Sequence, residues 1–245
     1  MSELGRGLGD VRRGFAFLNK HPRLWGWVAA PAAVTLVLLT TMVILVMRIA
    51  DSIVGRVTSW LPDAIAGVGG WVIWVIVLAA LVVGGLVVFV SVAGIVAGPF
   101  NEMLSEAVEE QVTGKKGPPF SIAAFVASAL RGIAHGIKRV LVAILGALML
   151  FALGFIPVVG TIAALLLGGY FTARGAAYDC YDAVLSRRDM PYDAKTAYLA
   201  ARRSRTFGLG AAVAGMLIIP VLNLLALGVG AAGATLAVLD EQPRR

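Results

Sequence analysis

Residues 64–100 are thirty-seven consecutive positions without a charge. No other feature limits the fold as strongly. Three further runs resemble it, at 24–47, 140–173 and 206–239. A membrane-crossing helix needs about 20 apolar residues. Charged residues make up only 14% of the chain, against about 25% in soluble domains. A soluble surface would need that missing charge, whereas lipid needs none. The fold class expected is therefore an all-α integral membrane protein, one membrane domain over 1–245.

The first two runs each read as one full span, near 24–48 and 70–98. Five Lys/Arg precede the first, in a tail over 1–22 and at Arg23. The first run is 24 residues long, beyond the roughly 7–15 of a cleaved signal. Trp25, Trp27, Trp60, Trp71 and Trp74 sit near segment ends, as interfacial Trp does; ordinary helix packing is the alternative. The 29 glycines suit close helix approach.

The last two runs are 34 residues each, long for one span and short for two. Each has a central proline, Pro157 and Pro220, which breaks or kinks a helix. Two arms of about 17 residues reach roughly 25 Å each, just under the hydrocarbon thickness. Each run then reads as a hairpin penetrating the bilayer in part. A long, tilted, kinked helix remains the alternative. The two also read as a repeat, over about 120–185 and 192–239: Pro157 and Pro220 are 63 apart, as are Arg139 and Arg202. Repeats with broken helices recur in transporters, and also arise by simple duplication.

Lys and Arg concentrate in the tail, in 102–139 and in 174–205, while 48–70 holds only Arg48 and Arg56. Basic loops stay cytoplasmic. Both termini and both large loops are then inside, and each Pro-broken run must leave and return on one side.

Residues 99–112 read as a short helix with Pro99 in its first turn. Glu102, Glu106 and Glu109 share one face at i, i+4, i+7. The basic face of 120–139 (Ser128, Arg131, His135, Lys138) and the cluster Lys195, Arg202, Arg203, Arg205 are the candidate partners. Solvated charges beside headgroups are the alternative, and such pairs are worth little. His135 reads as a polar-face residue. Cys180, the one cysteine, reads as packing. No catalytic or metal-binding motif appears, so neither an enzyme nor a cofactor is expected. The positive-inside rule accounts for the basic residues, so nucleic acid is not an expected partner.

The stretch Gly98-Pro-Phe-Asn-Glu-Met-Leu-Ser-Glu-Ala-Val-Glu109 resembles the Pro-Phe-Asn signature of the CysZ sulfate-permease family, grouped with the etoposide-induced proteins. His21-Pro22-Arg23-Leu24 with Pro31 resembles its stretch before the first span. Phe207-Gly-Leu-Gly210 with Ile219-Pro-Val-Leu-Asn-Leu-Leu-Ala226 resembles its C-terminal hairpin. The resemblance covers about residues 12–239. It implies two spans, two partly penetrating hairpins, homo-oligomers, and sulfate uptake across the inner membrane for cysteine synthesis. A membrane scaffold of the same fold is the alternative. The family's Gly-Leu-Arg-Arg-like anion element reads Pro22-Arg23-Leu24-Trp25-Gly26 here, so Arg23 alone carries over as the anion contact. Carboxylates repel an anion. Asn101, Glu106, Glu109, Arg131 and Arg202 are therefore expected to hold and gate a pore mouth by charge pairing, with proton coupling through the acids as the alternative.

Overall fold

The computed structural model describes residues 2–59, 63–116, 121–123, 126, 130, 145–156 and 158–241. The amphipathic helix expected over 120–139, with Arg131 and His135, lies largely outside them, as do Trp60 and Pro157. Every regular element among the described residues is helical.

Helix α1 covers Glu3–Lys20. Ser2 caps it, its hydroxyl accepting from the Gly5 N–H at 3.3 Å, and the helix stops at His21 because Pro22 disfavours helical backbone before it. The basic N-terminal stretch is thus a docked helix rather than a tail. A 3-10 turn, Pro22–Leu24, leads into α2, Trp25–Thr58. Helix α3 runs Asp63–Thr113, and the described part of the next helix, α4, is Leu145–Gly154. Then come α5 (Val159–Ser186), α6 (Tyr192–Ala201), α7 (Arg203–Ile218) and α8 (Pro220–Asp240).

The expected spans fall inside α2 and α3, which are longer than expected. Their 34 and 51 residues correspond to about 51 and 77 Å, against a hydrocarbon core of about 30 Å. The separate helix expected at 99–112 does not form. Helix α3 continues through Pro99. A mid-helix proline removes one hydrogen bond at a cost of about 3 kcal/mol. Good helix formers follow it, and burying Leu104 and Val108 completely offsets the loss.

The break at the second proline is where the sequence places it. Ile219 is extended, at φ −94° and ψ 116°, and Pro220 opens α8. The Asn223 amide donates to the Leu217 carbonyl at 2.9 Å, which satisfies a group orphaned at the end of α7. Helices α7 and α8 then pack together. Between α4 and α5 the chain also turns, with Val158 at φ 59°. There Gly160 lies against the Leu153 carbonyl too closely for any Cβ.

The chain divides into two compact units. One is Pro31–Val96, from α2 and α3. Ala50 is fully buried in it, Gly85 faces Met42 and Val46, and Trp74 Nε1 donates to Asp51 at 3.2 Å. The other comprises Met1–Ala30 and Ala97–Arg245. Here α1, α5, α7 and α8 surround a core that includes Leu18, Tyr181, Leu209, Val213 and Val229. Backbones meet directly: a Cβ on Gly14 would strike the Val229 carbonyl and Gly233, and one on Gly208 would strike the Leu4 carbonyl. Small residues at such crossings are how membrane helices gain packing contact.

Candidate functional site

Arg23 sits on the 3-10 turn before α2, exposed, and its side chain makes no hydrogen bond or ion pair with any described residue. Its neighbours on both sides are held. Leu24 is buried, Trp25 meets Phe15 edge-on with centroids 5.8 Å apart, and His21 packs on Phe17. The turn's backbone is therefore held while its guanidinium is exposed and unneutralised, a group whose fork suits an oxyanion.

A second polar region lies on α3 beyond Pro99. Asn101, Ser105 and Glu109 follow one another at four-residue spacing, so they share a face. Asn101 is 9% exposed and Ser105 fully buried. Thr235 of α8 donates to Ser105 at 2.9 Å. Arg187, just after α5, donates to Ser105 through Nη1 at 3.0 Å and pairs with Glu109 through Nη2 at 3.0 Å. Arg188 adds a longer contact to Glu109 at 3.8 Å. Both charges of the Glu109–Arg187 pair are about three-quarters buried. Glu106, Glu109 and Glu110 line a cleft of about 250 Å³ with Thr113, Lys115, Lys116 and Arg187. Glu106 and Glu110 make no ion pair with a described residue.

Among the described residues Glu109 pairs with partners other than those expected, while most of the basic face of 120–139 lies outside them. Glu109 is neutralised by Arg187 and Arg188, not by Arg202. Arg202 pairs with Glu241 at 2.6 Å and lies 4.0 Å over the Tyr198 ring. The reason is positional: Arg202 sits at the α6–α7 junction, which faces the C-terminal end of α8, while Arg187 follows α5 directly. Arg131 lies outside the described residues.

A third cluster was not anticipated. Asp10 of α1, Arg205 of α7, and Asp240 and Glu241 at the end of α8 meet with Arg13. Arg13 bonds Asp240 at 2.6 and 3.1 Å and Asp10 at 3.2 Å. Arg205 reaches Asp10, Asp240 and Glu241. Its hydrogen bonds to Asp10 hold the guanidinium pKa above its usual value. Tyr198 donates to Glu241 at 2.9 Å, and burial together with that carboxylate pushes its phenol up to about 12. The available sequence signal was Gly7–Asp10–Gly14, a carboxylate on the small-residue face of α1. Lys195 of α6, largely buried, bridges to Asp182 at 2.7 Å and Ser186 at 2.6 Å.

Long apolar helices, a helical hairpin opening at a proline, and charge clusters gathered at helix ends define an all-α integral membrane protein. The chain belongs to the family described as sulfate transporter CysZ/etoposide-induced protein 2.4, whose profile matches residues 10–227. A sulfate transporter CysZ of Pseudomonas fluorescens Pf0-1 is 32% identical over 90% of this chain and 88% of its own. That of Pseudomonas syringae pv. tomato DC3000 is 31% identical over 90% and 87%. That of Pseudomonas aeruginosa PAO1 is 28% identical over 99% and 95%.

Proposed function

We propose that the chain is an inner-membrane permease that takes up sulfate of the kind consumed in cysteine synthesis. The observation that carries this reading is the match along nine-tenths of the chain to relatives named sulfate transporters. Arg23 is the anion contact, since it is a charged fork without a carboxylate partner among the described residues, at the start of the first apolar run. Glu109 with Arg187 and Ser105 ties α3, α5 and α8 together at the pore mouth, beside Asn101 and Glu106. Neutralised in this way, Glu109 does not repel a passing anion.

The protein is multi-pass and forms homo-oligomers in the bilayer. Both termini and the basic segments are cytoplasmic, and both hairpins enter the membrane only in part. Uptake of radiolabelled sulfate into proteoliposomes, with chloride as control, tests the reading. Sulfate-dependent flux that falls in Arg23→Ala supports it. Absence of flux from the unmutated protein would return the chain to a scaffold of the same fold.

A further inference from the structure

The turn that carries Arg23 is fixed from both ends. On the α1 side, the His21 N–H donates to the Phe17 and Leu18 carbonyls, each at 3.1 Å. On the α2 side, Leu24 and Val28, one helical turn apart, are 5% and 3% exposed. Val28 seats on α8 at Gly228. A Cβ built on Gly228 would stand 2.9 Å from Val28 Cγ1 and 3.1 Å from Cγ2, whereas carbon atoms rest at about 3.5–4.0 Å.

The backbone at 228 gives no reason for a glycine. Among the described glycines only Gly114 has positive φ, and helix propensity favours alanine inside a helix. What a side chain there would disturb is the seat of Val28. Val28 and Arg23 lie on the same short stretch of chain, with Leu24 buried between them. Pushing Val28 outward therefore moves the turn and its guanidinium.

We propose that Gly228 of α8 is a positioning residue for Arg23, its bare backbone setting where the anion-contacting turn stands. This rests on the reading of Arg23 as the anion contact. It gives α8 a part in substrate affinity although Gly228 has no side chain to touch the anion.

The test uses the full chain and two readouts. In the first, Arg23→Cys carries a nitroxide, Cys180 being fully buried, and the line shape is recorded with Gly228→Ala alone and with Gly228→Ala plus Val28→Ala. In the second, Arg23 is retained and sulfate uptake is measured against concentration in the same two backgrounds. Gly228→Ala is expected to change the line shape and to raise the KM for sulfate about fivefold, with Vmax little altered. Val28→Ala in that background makes room for the new methyl and should restore both. Val28→Leu, which presses the contact from the other side, should reproduce the Gly228→Ala signs.

An unchanged line shape in both Gly228→Ala and Val28→Leu overturns the proposal. So does an unchanged KM, or a loss of Vmax that Val28→Ala does not rescue. A line shape that moves and is rescued, in a protein whose unmutated form carries no sulfate, upholds the positioning of Arg23 and overturns the permease reading instead.

Discussion

Arg205 grips Asp10 with two donors, Nε to Oδ2 at 2.7 Å and Nη2 to Oδ1 at 3.0 Å. The two residues are 195 positions apart, and the Asp10 side chain is 2% exposed. Charge-assisted bidentate pairs are among the strongest hydrogen-bonded contacts, and a buried charge that loses its partner is costly. The contact fastens α1 to α7, and through Asp240 and Glu241 to the end of α8. Asp10→Ala should destabilise the detergent-solubilised protein by about 3 kcal/mol. That is the low end for breaking a buried pair, because Asp240 and Glu241 still face Arg205. Denaturant titration of Asp10→Ala, Arg205→Ala and the double variant checks it, with the two single effects expected to be strongly non-additive.

Charge reversal should separate the glutamates of α3. Glu109→Lys places a cation against Arg187 and Arg188 and should cost about 1.5–3 kcal/mol, the scale of a charge-assisted hydrogen bond. Arg187→Glu in the same background should recover part of the loss. Glu110→Lys, which breaks no ion pair with a described residue, should be close to neutral. Thermal unfolding of the three variants measures this, and equal effects at 109 and 110 would return the cluster to solvated surface charge.

Arg23→Ala should weaken sulfate binding by about 1.5–3 kcal/mol, and Arg23→Lys should recover only part, since an ammonium lacks the planar fork. Calorimetry with sulfate, against chloride, reads both. Sulfate binding indifferent to Arg23 would move the site elsewhere on the chain.

The Tyr198 phenol, with its pKa at about 12, gives a pH prediction with a definite sign. Its ordinary value is about 10, so the folded state holds the proton more tightly than the unfolded one. The stability linked to this group is complete below pH 10 and is lost as pH rises through about 12. Burial also holds the Tyr181 phenol protonated beyond the ordinary range, so ultraviolet titration should show the late tyrosine signal reduced in Tyr198→Phe, whose stability should fall less steeply over that window.

Cysteines placed at 158 and 221 test the depth of the hairpins. Both positions directly follow a proline of the sequence, and both should be labelled only from the side opposite the termini. Labelling of either from the cytoplasmic side would rule out the hairpin orientation.

Much of this architecture was legible in the residues alone. Long uncharged runs mark apolar helices, because within a bilayer a single segment satisfies its own backbone only as a helix, and a proline between two apolar arms marks a turn, as at Ile219–Pro220. The Arg23 turn was not readable in this way: residues 1–22 were expected as a tail, and only the structure shows a helix that ends before Pro22. What only the tertiary structure decided is which charges meet. Glu109 could be placed on a helix face by its spacing, but its pairing with Arg187 depends on where α5 ends in space. Asp10 looked like one acid in a basic stretch until α7 brought Arg205 onto it. Pro99 was read as a helix start, yet burial of Leu104 and Val108 carries α3 through it. Periodicity and backbone preference act over a few residues and are written along the chain. Contacts between residues 82 or 195 positions apart arise from packing, and no local pattern records them.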